Sequence, residues 1–146
     1  MWASQRGKNE IAKMLIDADI DLNVSNDDGD TALILAVKRG HKKIVKMLIE
    51  KGADLNKQNN DGSTALMLAA ISDKKNDLVK MLVDSGADTR LKDEFGRSAL
   101  KIAVDFECFN NADVLKENET KKNENKVKMN KSQNNGGFWA KIWGRD

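Results

Sequence analysis

The chain repeats itself along its length with a period of 33 or 34 residues. Gly29, Gly62 and Gly96 stand at matching places, 33 and then 34 residues apart. The segment NDDGDTALILAV at 26–37 returns as NNDGSTALMLAA and again as DEFGRSALKIAV, and two further blocks of sequence keep the same spacing. A unit of this size cannot bury its apolar face alone, so neighbouring units must stack. The repeat therefore predicts a one-dimensional array of similar units.

Each unit predicts a turn, a helix, a short turn, a second helix and a loop. The first turn holds a glycine that can adopt a positive φ, and the hydroxyl side chain of Thr31 is suited to cap the helix that follows. Leu33 lies on the apolar face of this first helix, and Ile44 and Leu48 lie on one face of the second. Gly52 is suited to end the second helix in the left-handed conformation.

These segments resemble ankyrin repeats, with the family's pattern DxxGxTPLHxAAxxGHxxIVxxLLxxGADxN. The resemblance covers residues 1–117 and implies an all-α solenoid of stacked helix–turn–helix repeats joined by β-turn tips. It divides into an incomplete repeat at 1–25, repeats at 26–58 and 59–92, and a C-terminal capping repeat at 93–117. The family's Pro-Leu-His is Ala-Leu-Ile, Ala-Leu-Met and Ala-Leu-Lys in the three copies, so we expect modest stability.

The start of the chain leaves two expectations open. Met1-Trp2-Ala3 aligns with the middle of the first helix of the later repeats, with no turn before it. Either Trp2 covers the open end of the stack, or the chain is a terminal fragment of a longer array with a structural role only.

Composition argues against several other classes of protein. Cys108 and His41 are the only cysteine and histidine, so neither an internal disulfide nor a Cys/His zinc site can form. No apolar run approaches the ~18–20 residues that cross a bilayer. The opening residues lack the apolar segment of a secretory signal, so we expect none. The resemblance implies a structural role for His41 at a turn between helices. We expect no enzyme, no catalytic residue, no cofactor and no metal, in a cytoplasmic protein, with export without a signal peptide left open.

The resemblance also implies where a protein partner would bind. Ankyrin repeats usually contact partners through the turn tips and the exposed face of the first helices. The tip positions here are Asp27, Asp28, Asp30, Asn60, Asp61, Ser63, Glu94, Phe95 and Arg97, and the helix positions are Lys38, Arg39 and Ile71. Five carboxylates and one arginine make the tips acidic, which would attract a basic patch. The alternative is that the acidic tips only keep the protein soluble and that Phe95 packs on its neighbour.

The C-terminal tail differs in character from the repeats. Residues 118–146 carry seven basic and three acidic side chains. The Lys/Asn-rich stretch 118–137 is predicted to be a disordered linker, or a frayed helix followed by a linker, because it has little to bury. The segment 138–146 contains an apolar set at helical spacing, namely Phe138, Trp139, Ile142 and Trp143.

Three roles for this aromatic segment stay open. It could dock into a partner protein, fold back over the repeats, or tether the chain to a membrane surface. The positive charge of the tail is too dispersed to indicate nucleic-acid binding. We expect a monomer that binds another protein and no small-molecule substrate.

Overall fold

A computed structural model describes residue 18 and residues 20–143, with side chains as far as residue 132. This part of the chain contains six α-helices and no strand. The helices are α1 (Ala32–Arg39), α2 (Lys42–Glu50), α3 (Ala65–Ala70), α4 (Asn76–Asp84), α5 (Ala99–Asp105) and α6 (Phe109–Trp143), with a short 3₁₀ helix at Asp73–Lys75. The helix expected in the incomplete first repeat, and Trp2, lie outside the described residues.

The chain divides into two units, Met1–Leu115 and Lys116–Asp146. In the first unit, helices α1 and α2, α3 and α4, and α5 and the start of α6 form successive helix–turn–helix pairs. The first helices of these pairs lie side by side, with α3 in contact with both α1 and α5, and α2 contacts α4. This is the stacked all-α repeat fold that the sequence predicted.

Hydroxyl side chains begin the first helix of each pair, as expected from the sequence. The Oγ1 atom of Thr31 accepts a hydrogen bond from the backbone N–H of Ile34 at 3.3 Å, and Thr64 and Ser98 do the same in their repeats. Each cap satisfies one of the backbone donors that a helix N-terminus leaves without an intrahelical partner.

The core runs through the stack from repeat to repeat. Leucines of the first helices and aliphatic side chains of the second helices are completely or almost completely buried, including Leu33, Ile44, Leu48, Leu66, Leu78 and Leu82. Ala36, Ala69 and Ala103 have no exposed surface, and their small side chains let neighbouring helices approach closely. Burial therefore depends on the stacking of repeats, as the short unit length requires.

The turn after α3 is closed by a side chain from the following repeat. Helix α1 ends at Gly40 with φ 73°, whereas α3 ends at Ile71 in the right-handed conformation. The completely buried Asn111, in α6, donates hydrogen bonds to this turn through its Nδ2 atom. Its acceptors are the carbonyl oxygens of Ala69, Ala70 and Ser72, at 3.4, 3.2 and 3.0 Å.

The tail stretch 118–137 is helical throughout, where the sequence predicted a disordered linker, or a frayed helix followed by a linker. Helix α6 runs without a break from Phe109 to Trp143 and includes all of residues 118–137. Its lysines and glutamates are good helix formers, it contains no proline, and Glu117 and Lys121 form an ion pair one turn apart. Neither α6 nor any other helix in the described part of the chain is long and apolar enough to cross a membrane.

Candidate partner-binding surface

One hydrogen-bonding pattern shapes all three turn tips. In the middle tip, the Oδ1 atom of Asn59 accepts from the backbone N–H groups of Asp61 at 3.1 Å and Ser63 at 2.9 Å. Asn26 and Asp93 make the equivalent bonds in the other two tips. An Asx side chain of this kind stabilises a turn by replacing a backbone acceptor. This first position was not among the predicted contact residues, although Asn or Asp occupies it in every copy of the repeat.

Backbone hydrogen bonds join consecutive tips into a row. The N–H of Asn60 donates to the carbonyl oxygen of Asp28 at 3.0 Å, and its side-chain amide donates to that of Asp27 at 2.7 Å. The N–H of Glu94 donates to the carbonyl oxygen of Asp61 at 3.1 Å. The three tips are therefore held at a set spacing by the protein itself, without a bound partner.

A second ladder of hydrogen bonds links the loops that follow the second helices. The Oδ1 atom of Asn23 accepts from the N–H of Asp54 at 2.8 Å, and Asn56 accepts from Asp88 at 2.8 Å in the next repeat. Arg90 corresponds to Asn23 and Asn56 in the alignment of the repeats. Its guanidinium pairs with the Asp88 carboxylate of its own loop at 3.0 Å. This side-chain hydrogen bond raises the pKa of Arg90. Arginine has no acceptor atom, so the side-chain ladder ends here.

Asp30 does not belong to the exposed surface on which the sequence analysis placed it. Asp30 is only 2% exposed, and its carboxylate accepts hydrogen bonds from Lys38 Nζ at 2.5 Å and from Asn59 Nδ2 at 2.9 Å. A buried carboxylate needs such partners, since its desolvation is otherwise costly. Asp30 therefore joins two repeats, and Lys38 is partly committed to the same internal ion pair.

The exposed tip surface is acidic. The side chains of Asp27, Asp28, Asp61 and Glu94 are all exposed, and none of these four carboxylates has a side-chain partner within residues 20–132. We call this set the tip carboxylates. Their charge is not offset by Arg97, because that side chain is half-buried and pairs with Asp93 at 2.8 Å.

The pairing of Arg97 with Asp93 also determines the charge state of the Asp93 carboxyl group in the last tip. The Asp93 side chain is almost completely buried, which by itself would raise the pKa of its carboxyl group. The backbone and side-chain N–H groups of Arg97, with the backbone N–H of Phe95, outweigh that effect and hold the pKa of Asp93 below its usual range. Asp93 therefore remains an ionised acceptor within the turn.

Phe95 does not pack into its neighbour. The residue is 71% exposed, and its ring lies under the Arg97 guanidinium, 4.9 Å from the centroid. Ile71, on the first-helix side, is also exposed. Its carbonyl oxygen accepts from the thiol of buried Cys108 at 3.1 Å, which gives that cysteine a packing role.

The other predicted contacts fall into three groups. Arg39 is exposed at the end of α1, Ser63 is half-buried within its turn, and Asn60 links two tips as described above. The backbone of α6 includes the aromatic segment as far as Trp143. The side chains predicted to bind there, Phe138, Trp139, Ile142 and Trp143, lie outside the described part of the structure.

No group of three or more His, Cys, Asp or Glu side chains that could hold a metal ion is present among the described residues. The stacked helix pairs and the laddered tips define a repeat protein of the helical solenoid class. The family model for ankyrin repeats (3 copies) matches residues 1–93 and 54–126, and the chain belongs to the ankyrin-repeat family. Ankyrin repeats are generally protein–protein interaction modules. Among curated proteins, none matches the chain.

Proposed function

We propose that the repeats form a non-enzymatic interaction module that binds a protein partner through the turn tips and the exposed ends of the first helices. The observation that supports this proposal is the set of four exposed, unpaired tip carboxylates on a row of hydrogen-bonded turns. Because the tips are already held in place, a partner would lose little free energy in ordering them. The charge of the row favours a partner with a basic patch, which it would also steer during association.

The test replaces two carboxylates in the middle of the row. Asp28→Asn with Asp61→Asn keeps the shape of both side chains and removes two negative charges. A matched control, Asp84→Asn with Asp113→Asn, removes two exposed charges from the second helices. Full-length wild type and both variants are used as baits in their native lysate, and captured proteins are quantified by mass spectrometry at two salt concentrations.

We expect a partner that the tip variant captures less well, by roughly two- to tenfold, while the control captures it like the wild type. High salt should weaken wild-type capture more than that of the tip variant. Equal capture and equal salt dependence for all three proteins would show that the tip carboxylates do not recognise a partner.

A second candidate places recognition in the tail. The backbone of helix α6 continues through Trp143. The sequence spacing of Phe138, Trp139, Ile142 and Trp143 predicts one apolar side at 3.6 residues per turn. An apolar stripe of this kind is a common way for a helix to dock into a groove.

If recognition lies in the tail, the double substitution Trp139→Ala with Trp143→Ala in the whole chain should abolish capture of the partner. The tip variant should then capture it normally. Capture of the same partner by the tail variant at the wild-type level would place recognition outside the aromatic segment.

A further inference from the structure

The turns between the paired helices form a second row, at the opposite end of the first helices from the tips. Each tip precedes a first helix and each turn follows it, so the eight residues of α1 separate the two by about 12 Å. Two contacts join the turns after α1 and α3. Lys75 Nζ donates to the carbonyl oxygen of Lys38 at 3.1 Å, and Lys42 forms an ion pair with Asp77. The two turns therefore lie side by side.

Cations are concentrated at these two turns. The segment 38–43 reads KRGHKK and contains no carboxylate. The basic residues of the two turns and their flanks are Lys38, Arg39, Lys42, Lys43, Lys74 and Lys75. Lys38 and Lys42 are paired with Asp30 and Asp77. Arg39, Lys43 and Lys74 are exposed, and none of the three has a carboxylate partner within residues 20–132. We call these three residues the turn cations.

The carboxylates near the two turns do not offset this charge. Lys75 is half-buried, its burial lowers the pKa of its ammonium group, and it too has no carboxylate partner among the described residues. Asp73, the one acidic residue of the turn after α3, accepts from the backbone N–H of Asn111 and from Asn110 Nδ2, both at 3.1 Å. Its carboxylate is therefore bound to α6 rather than to the turn cations. Six basic residues against three carboxylates leave the surface around both turns positive.

Helix α2 lacks the hydroxyl cap found at the start of α1, α3 and α5. It follows His41, which makes no side-chain capping hydrogen bond, and no acidic residue lies in its first turn. Lys42 and Lys43 occupy that turn instead. The N-terminus of a helix carries a partial positive charge, so cations there oppose helix formation, whereas an anion is favoured. Residues that break a local rule of this kind are often found where a protein binds a ligand.

We propose that the turn cations and the start of α2 bind a compact polyphosphate, meaning a small molecule or a lipid headgroup that carries two or more phosphate groups. Phosphate oxygens accept hydrogen bonds from guanidinium and ammonium groups, and from backbone N–H groups at the start of a helix. Several phosphate groups close together would supply the negative charge that the cations of the two turns lack. This site is separate from the turn tips.

The charges around the turn cations favour a compact anion over an extended one. Asp105 and Glu107, at the end of α5 and in the turn after it, are both exposed. Asp105 pairs with Lys101 at 2.6 Å, but the Glu107 carboxylate has no partner among the described residues. A nucleic acid that followed the row of turns would meet this carboxylate, whereas tight binding to a duplex requires cations at many successive phosphates. A small polyphosphate would contact the turn cations alone.

The test is isothermal titration calorimetry of the full-length chain at about 0.15 M salt, where charges more than ~8 Å apart are largely screened. Inositol hexakisphosphate serves as the free polyphosphate, and a DNA duplex of about 20 base pairs serves as the extended polyanion. Co-sedimentation with phosphatidylcholine vesicles tests the lipid source. One set of vesicles contains about 5% phosphatidylinositol bisphosphate, and a charge-matched set contains phosphatidylserine.

Two variants with the same net charge separate the turns from the tail. The turn variant removes the three turn cations by Arg39→Gln, Lys43→Gln and Lys74→Gln. The control removes three exposed lysines of α6 by Lys122→Gln, Lys126→Gln and Lys128→Gln. Because all of these side chains are exposed, both variants should fold, and circular dichroism melting verifies it.

We expect the wild type to bind inositol hexakisphosphate with a dissociation constant of about 1–50 μM. The turn variant should bind at least about tenfold more weakly, while the control stays within about twofold of the wild type. Stronger sedimentation with phosphatidylinositol bisphosphate vesicles than with the charge-matched vesicles would identify a lipid headgroup as the source of the phosphates. Binding of the free polyphosphate without binding to vesicles would identify a soluble ligand.

A wild type that binds neither inositol hexakisphosphate up to about 1 mM nor the phosphatidylinositol bisphosphate vesicles would overturn the proposal. Equal binding by the turn variant would place the anion elsewhere, and loss of binding in the control would place it on the tail. Tighter binding of the duplex than of inositol hexakisphosphate would mean that this surface recognises an extended polyanion. Because neither variant alters a tip carboxylate, these results are independent of the test of the proposed function.

Discussion

At the residue scale, glycine has two different reasons to occupy the turn tips. Gly62 and Gly96 have almost the same positive φ, 71° and 73°. Only Gly62 also lies against another repeat, where an added Cβ would come within 2.9 Å of the backbone N of Glu94. A distance this short cannot be relieved by moving a flexible side chain, because the contacted atom belongs to the backbone.

These two glycines give a matched pair of substitutions. Gly96→Ala should destabilise the chain by about 1 kcal/mol, since alanine is strained at positive φ. Gly62→Ala should cost at least ~1 kcal/mol more, because the tip must also move away from its neighbour. Urea denaturation of both variants measures the difference. Equal losses of stability would show that only the positive φ requires glycine at these positions, and that the contact between the tips tolerates a Cβ atom at position 62.

At the scale of the elements, the end of α3 depends on a residue from another repeat. Asn111 stands where the preceding repeats have the buried aliphatic residues Ile44 and Leu78. The turn after α3 lacks the glycine that ends α1, and it spans residues 71–75, whereas the turn after α1 spans residues 40–41. At that turn the carbonyl oxygens of Ala69 and Ser72 also accept from the backbone N–H groups of Ser72 and Lys75, whereas the Ala70 carbonyl oxygen accepts from Asn111 Nδ2. An aliphatic side chain at position 111 could not supply that donor.

Asn111→Leu tests this requirement by restoring the aliphatic residue at nearly constant volume. We expect a loss of roughly 1–3 kcal/mol in the free energy of unfolding, because the Ala70 carbonyl oxygen loses its side-chain donor and two neighbouring carbonyl oxygens lose one of their hydrogen bonds. Asn110→Leu is the control: it is exposed and its amide donates only to Asp73, so its effect should stay within about 0.5 kcal/mol. Urea denaturation of both variants decides the matter. An Asn111→Leu protein as stable as the wild type would mean that water replaces the lost donor.

At the scale of the whole molecule, the stack is stable only as a unit. The apolar core continues from α1 to the start of α6, and each first helix contacts its neighbours on both sides. A defect in one repeat therefore weakens the support of the next, as expected for a short array with few interfaces.

Leu48→Ala tests this dependence in the second helix of its repeat. Leu48 is almost completely buried, and the cavity should lower the free energy of unfolding by ~2–5 kcal/mol. That is a large share of the ~5–15 kcal/mol typical of a small domain. Val127→Ala, at an exposed site of α6, should melt like the wild type. If Leu48→Ala also melted cooperatively at the wild-type temperature, Leu48 would not support the array.

The sequence by itself determined the repeat architecture, the hydroxyl caps and the apolar faces. Each of these depends on residues a few positions apart, and the period shows them several times over. Thr31, Thr64 and Ser98 could be assigned as caps for this reason, and the acidic character of the tips could be read directly from the residues.

Only the tertiary structure decided which side chains meet across repeats. Burial of Asp30 against Lys38 and Asn59 and the use of Asn111 at the end of α3 depend on residues 8 to 42 positions apart in the sequence. The exposure of Val104, at a position that is buried in the preceding repeats, likewise depends on how the helices stack. For residues 118–137 the sequence left a frayed helix open beside a disordered linker, and the structure continues the helix through the whole stretch. Residues close together in the sequence determine the formation of a single helix or turn. The partners of buried polar groups are determined only when the repeats stack.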